Sequence, residues 1–202
     1  MKLICIGRNY ALHAKEMGSE VPTEPVVFCK PDSAVTREKS LYIPEFTNDL
    51  HHEVEVLVRI KKVGKNIAKK FAPKYYDEIS LGIDFTARDI QRECKAKGLP
   101  WEKAKAFDTS ALISRTFLNK NNFDLNNLNF KLTKNDEVIQ QGNTKDMLFN
   151  IDQIIAYVST FMTLKIGDII MTGTPEGVGP VAIGDFLEGY IEDKKMFEVK
   201  VR

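Results

Sequence analysis

Apolar and polar positions alternate most cleanly over residues 52–60, where Val54, Val56 and Val58 fall on one side of an extended chain and Glu53 and Glu55 on the other. That pattern predicts a strand. Shorter apolar runs predict further strands over residues 3–6, 79–85, 164–172, 186–191 and 196–201, the last two joined by a turn at 192–195. Residues 130–138 and 140–144 predict a hairpin turning near Asn135 and Asp136. Helical spacing is clearest over 151–162, with Ile151, Ile154, Ile155, Val158 and Met162 on one side. A second helix is expected over 86–96, stopped by Gly98. A short one is expected over 10–17, capped by Asn9 and stopped by Gly18. Residues 66–76 have mixed helical character. Residues 21–31 contain Pro22, Pro25 and Pro31 and read as extended chain that turns at Lys30-Pro31-Asp32. The stretch 33–47 is polar apart from 41–43 and reads either as a mobile cover over a site or as a surface loop.

Strands outnumber helices, most are short, and no repeat or linker interrupts them. The expectation is a single domain, residues 1–202, of α+β, strand-dominated class. Charge narrows the partners: 29 basic and 28 acidic residues give a net charge of +1, no electrostatic case for nucleic acid or an anionic membrane. No apolar tract is long enough for a membrane helix, and the opening Met-Lys-Leu-Ile-Cys-Ile-Gly reads as a first strand and not a secretory signal. Cys5, Cys29 and Cys94 fit neither a zinc spacing nor a disulfide framework, which points to a reducing cytoplasm, with Cys5 and Cys29 as core thiols.

Candidate chemistry starts from Glu53 and Glu55. On a strand, side chains at i and i+2 share a face with Cα atoms roughly 6.5–7 Å apart, so the two carboxylates repel and need an offset. An isolated Glu-x-Glu is more simply a solvated surface strand. Asp84, closing the apolar run 79–83, changes the reading: three converging carboxylates suit a hard divalent cation such as Mg²⁺, Mn²⁺ or Ca²⁺. His13 and Glu16 are three apart, either an exposed helical pair or a glutamate orienting a general base. Arg88 and Gln91 share the same spacing on the next predicted helix. The glycine-rich loop 173–179 lacks the Gly-Lys-Ser/Thr ending of a nucleotide loop, but its amides and the Thr174 hydroxyl could approach a carboxylate closely.

Six motifs in order, nearly end to end, resemble the fumarylacetoacetate hydrolase family. They are Gly7-Arg8-Asn9-Tyr10 followed by His13 and Glu16, Phe28-Cys29-Lys30-Pro31, His52-Glu53-Val54-Glu55, Asp84-Phe85-Thr86-Ala87-Arg88-Asp89-Ile90-Gln91, Lys105-Ala106-Phe107-Asp108, and Thr172-Gly173-Thr174-Pro175-Glu176-Gly177-Val178-Gly179. The chain is most similar to the short branch of acylpyruvate hydrolases and oxaloacetate decarboxylases. The resemblance implies a β-sandwich roll with a few short helices, assembled as a homodimer. It implies Mg²⁺ or Mn²⁺ on Glu53, Glu55 and Asp84, with His13, Glu16 and Lys105 as catalytic residues. Arg8, Lys30, Arg88, Gln91, Gly173 and Thr174 become substrate-binding residues, Lys30 as part of a closing cover. The implied reaction is C–C cleavage of a small 2-keto acid, an acylpyruvate or oxaloacetate, through a pyruvate enolate stabilised by the cation. Isomerisation of a 2-hydroxydienedioate or tautomerisation of oxaloacetate is the alternative on the same site. A catalytically inactive metal-binding protein is a third reading, but it predicts loss of a ligand or of the His–Glu pair, and all are present. One departure stands out: Thr109-Ser110-Ala111-Leu112-Ile113 replaces the proline and small residue frequent in relatives, so Leu112 is expected to reshape the pocket.

Overall fold

In the computed structural model, which describes every residue except Met17 and Ser19, the alternating segment around Glu53 is two strands instead of one. Val54–Ile60 runs antiparallel to Tyr76–Asp84 on one side and Ile169–Met171 on the other, within an eight-stranded sheet. Leu50–His52 leaves that sheet and pairs with Gly179–Pro180 and Thr86–Ala87 in a separate three-stranded sheet. Glu53 is the junction.

The path of the large sheet starts at Val26–Lys30 and ends at Val35–Thr36, and a single 3₁₀ turn, Asp32–Ala34, joins these two strands. The sheet is therefore curled. Because side chains alternate between faces, one face collects Leu3, Cys5, Leu57, Ala111, Ile113, Ile169 and Met171. On the other face Ile4, Ile6, Val58, Ile60 and Ile170 meet the helix Ile151–Ser159. Val54, Val56, Leu81 and Ile83 of that same face meet Phe130, Leu132, Leu187 and Val199 of a five-stranded sheet. Each such buried aliphatic side chain contributes about 1.5–3 kcal/mol.

Helix Ile151–Ser159 starts at a reciprocal cap, where Asn150 Oδ1 accepts from Gln153 N and Gln153 Oε1 accepts from Asn150 N, both at 3.0 Å. It ends three residues short of Met162, where the Ser159 carbonyl accepts from Asn66 N and its hydroxyl accepts from Ile67 N. The expected 86–96 helix starts late: Thr86–Ala87 is a strand, and the helix runs Arg88–Lys97 before stopping at Gly98 with φ 64°. Residues 164–172 are strand only over Ile169–Met171, since Asp168 Oδ2 accepts from Lys165 N and closes a turn. The hairpin turns at Asn135 and Asp136, both with positive φ.

Two expectations are corrected. The 33–47 stretch is no mobile cover: Val35–Thr36 pairs in parallel with Ala111–Leu112, and Ser40–Leu41 with Lys200–Val201. Asn9 does not cap the short helix, found over Ala11–Glu16; the expected end at Met17 lies outside the described residues. Instead Asn9 Nδ2 donates to Thr172 O and Phe149 O, and its Oδ1 accepts from Phe149 N. That amide ties the first strand to two distant segments. Among the described residues no helix is long and apolar enough to cross a membrane.

Candidate active site

Strand pairing fixes which side chains meet. Glu55 lies opposite Gly82, and Leu3 opposite Lys30, so Glu55, Asp84, Phe28 and Lys30 all belong to the sheet face of Cys5 and Leu57. Glu53, at the junction, adds a third carboxylate. One ligand oxygen from each of Glu53, Glu55 and Asp84 lies within 4.8 Å of the others, and all three residues are buried. They line a cavity together with His13, Arg88, Gln91, Lys105 and Thr174.

Three cations stand against this acid cluster. The Lys105 ammonium donates to Glu53 Oε2 at 2.7 Å, Asp84 Oδ2 at 2.8 Å and Thr86 Oγ1 at 2.6 Å. Arg88 donates to Glu53 Oε1 and, at 2.7 Å, to Gln91 Oε1. Lys30 is 1% exposed, with its ammonium 2.7 Å from Asp84 Oδ1 and hydrogen-bonded to Ser110 and to the Lys105 carbonyl. Lys30 is thus a buried counter-ion behind Asp84. It is no part of a cover, and the described cavity lining does not include it.

The charges act unequally on the acids. Burial alone would raise Glu53, but Lys105 and Arg88 hold its carboxyl well below the usual range. Burial, with Asp84 and Glu53 nearby, pushes Glu55 well above that range, and the Gly173 amide at 2.7 Å only partly offsets this. Burial works against the Lys105 charge, yet Asp84 and Glu53 raise its pKa.

The glycine loop serves the protein's own carboxylates. Gly173 N–H donates to Glu55, and Gly177 N–H to both oxygens of Glu16 at 3.1 and 3.2 Å. Both glycines have positive φ, and a Cβ at Gly173 would sit 2.7 Å from Asn9 Cβ. Thr174 Oγ1 accepts from Gln140, which also accepts from His52 and Val54 N. His13, 6% exposed, has Nδ1 at 3.3 Å from Glu16 Oε2. Leu112 faces the other side of the sheet, in the core, and does not shape this cavity.

A divalent cation fits the cluster on its own terms. All donors are hard oxygens; among the described residues Glu55 has no cationic partner in hydrogen-bond contact, and buried Asp84 Oδ1 accepts no hydrogen bond despite the nearby Lys30 charge.

Residues 2–202 match the family model "Fumarylacetoacetate (FAA) hydrolase C-terminal". The chain belongs to the fumarylacetoacetate hydrolase family. It is 44% identical over 200 residues to the bovine oxaloacetate tautomerase FAHD1, mitochondrial, covering 98% of this chain and 90% of that protein. Its structure superposes with TM-score 0.94 on a fumarylpyruvate hydrolase from Pseudomonas aeruginosa in complex with Mn²⁺ and pyruvate, at 34% identity, covering 100% of this chain and 89% of the other. A 5-carboxymethyl-2-hydroxymuconate delta-isomerase from Mycobacterium smegmatis gives TM-score 0.87 at 32% identity, with 99% and 78% coverage. This is a family of enzymes, and these relatives span hydrolase, isomerase and tautomerase names. The strand-dominated fold expected from the resemblance is the one observed.

Within this family fold, the expected residues that gather at the cavity are Arg8, His13, Glu53, Glu55, Asp84, Arg88, Gln91, Lys105 and Thr174. Glu16, Gly173 and Lys30 act from behind it, each through another residue. The sequence reading missed Phe28, Lys95 and Trp101 in the cavity wall. Lys95 carried a usable signal, since it lies four residues beyond Gln91 and seven beyond Arg88, on the same helix face.

Proposed function

We propose that this chain is a divalent-cation-dependent enzyme of small 2-keto acids that works through a pyruvate-type enolate. It decarboxylates or tautomerises oxaloacetate, hydrolyses acylpyruvates, or does both. The observation that carries this reading is the buried convergence of Glu53, Glu55 and Asp84 in one cavity with His13 and Lys105. The relatives' names support the substrate class, and the Mn²⁺ and pyruvate of the Pseudomonas aeruginosa hydrolase support the metal and the product.

Glu53, Glu55 and Asp84 hold the cation, with Mg²⁺ preferred and Mn²⁺ accepted. When bound, the cation supplies Lewis-acid stabilisation of charge developing on the 2-keto oxygen. The protein's own groups do the rest. Glu16, fixed by the Gly177 amide, orients the His13 ring so that His13 takes a proton from water or from an enol hydroxyl. Arg88 and Gln91 place the substrate carboxylate, and Thr174 adds a hydroxyl. Lys105, held by Glu53, Asp84 and Thr86, returns the proton to the enolate carbon. Decarboxylation needs no water, and tautomerisation of an enol needs one proton taken from its hydroxyl by His13 and one given to the neighbouring carbon by Lys105, so one set of residues serves all three outcomes. An inactive family member is disfavoured because this apparatus is complete. We place the enzyme in the cytoplasm as a homodimer built from one catalytic domain; its free thiols suit any reducing compartment, including the mitochondrial one named for the bovine relative.

The test is pyruvate release from oxaloacetate and from acetylpyruvate, together with the keto–enol absorbance of oxaloacetate, in Mg²⁺ and in EDTA. Glu53→Ala should abolish all three. His13→Ala should lower hydrolysis about 10²–10⁴-fold and spare decarboxylation. Turnover indifferent to EDTA and to Glu53→Ala would sink the metal-dependent reading.

A further inference from the structure

Arg88, Gln91 and Lys95 lie on one face of the helix Arg88–Lys97 and all line the cavity. Arg88 is engaged with Glu53 and Gln91. Lys95 is different. Its ammonium lies 5.6 Å from the centre of the Trp101 ring, which meets Phe28 edge-on at 6.0 Å. Arg8, the residue after the strand Leu3–Gly7, held at φ 59°, lines the same cavity. A non-glycine residue in that region costs about 1–3 kcal/mol.

Among the described residues, neither the Arg8 guanidinium nor the Lys95 ammonium meets a carboxylate or any other acceptor, whereas Lys30, Lys105 and Arg88 are each paired with an acid. Counting Glu16 and Lys30 behind the cavity, four carboxylates face five cations at this site, and a divalent ion would widen the excess to three. Partial burial, with Arg8 and Arg88 nearby, draws the pKa of the largely exposed Lys95 below its ordinary value, although Glu53 opposes the shift. A dianion offsets two of those three charges. The cavity is small, about 40 Å³.

We propose that Lys95 and Arg8 form a subsite for the anionic end of the substrate remote from the metal-binding carboxylates, and that Lys95 sets a preference for dianionic over monoanionic 2-keto acids. This rests on the proposed 2-keto acid function. One carboxylate and the keto group face Glu53, Glu55 and Asp84; the second carboxylate lies between Arg8 and Lys95, with Trp101 positioning the lysine.

The test has a binding arm and a turnover arm, both on the full chain with Mg²⁺. Trp101 is the chain's single tryptophan and lines the cavity, so its fluorescence reports binding directly. Malate and lactate are titrated as non-reacting stand-ins with and without the second carboxylate. Malate should bind at least tenfold tighter. The ratio should fall about tenfold in Lys95→Met and in Arg8→Gln, and persist in Lys95→Arg. In turnover, Lys95→Met should shrink the KM preference for oxaloacetate over acetylpyruvate by about the same factor, with kcat for the two substrates keeping its ratio. A malate-to-lactate ratio near one in the parent protein, or unchanged in Lys95→Met, overturns the subsite. No turnover of either keto acid alongside a Lys95-dependent malate preference overturns the proposed reaction and supports the subsite.

Discussion

Lys30→Met separates a buried counter-ion from a substrate-covering residue. The substitution keeps the length of the apolar stem, so little cavity is created. What it removes is the charge 2.7 Å from Asp84 Oδ1, an oxygen that accepts no hydrogen bond. Asp84 is completely buried, and its other oxygen already receives Lys105. Deleting one partner of a buried ion pair costs about 3–5 kcal/mol, because the remaining charge is left uncompensated. Ser110 Oγ loses a donor as well, while Ser110 O keeps the Phe85 amide. At roughly 2–4 °C per kcal/mol for a chain of this size, melting should fall by about 6–20 °C. The assay is circular-dichroism melting in EDTA and in saturating Mg²⁺. A cation at the acid cluster restores positive charge beside Asp84, so Mg²⁺ should raise the melting temperature more in Lys30→Met than in the parent protein. A melting temperature within about 2 °C of the parent, combined with a raised KM, would refute this account and return Lys30 to a covering role.

Three further outcomes follow from the same geometry. Gly173→Ala combines positive-φ strain with a Cβ placed 2.7 Å from Asn9 Cβ, and should cost about 2–4 kcal/mol in urea melts while weakening Mg²⁺ binding by calorimetry, since the Glu55 anchor shifts. Burial holds the His52 pKa down to about 4, so the folded protein keeps a neutral ring where the unfolded chain binds a proton. Stability fully present above pH 6.5 is then lost as pH falls toward 4, by about 3 kcal/mol, and His52→Gln should flatten that slope in urea melts across the window. Mg²⁺ at 100 times its Kd should raise the melting temperature by about 5–11 °C, corresponding to about 2.7 kcal/mol, and Glu55→Ala should remove most of the rise in a thermal-shift titration.

Local physics was legible in the chain itself. Alternation around Val54, Val56 and Val58 specified an extended segment, helical spacing from Ile151 to Val158 specified an apolar stripe, and Gly98 marked a helix end, because each depends on neighbours within a few residues. The spacing of Glu53 and Glu55, with Asp84 ending an apolar run, suggested the acid cluster for the same reason, and the family motifs supplied roles that spacing left open. Tertiary structure decided what depends on distant partners. Leu50–His52 and Val54–Ile60 part at Glu53 because one finds Thr86–Ala87 and the other Tyr76–Asp84, and alternation carries no trace of that choice. Asn9 could cap a helix in the sequence, but the carbonyls of Phe149 and Thr172, more than a hundred residues away, claim its amide. The glycine loop could have met a substrate carboxylate, but Glu16 and Glu55 reach its amides first. Lys30 resembled any lysine in a polar turn until folding buried it against Asp84, since the electrostatic need of a buried acid arises only once the chain has excluded water around it.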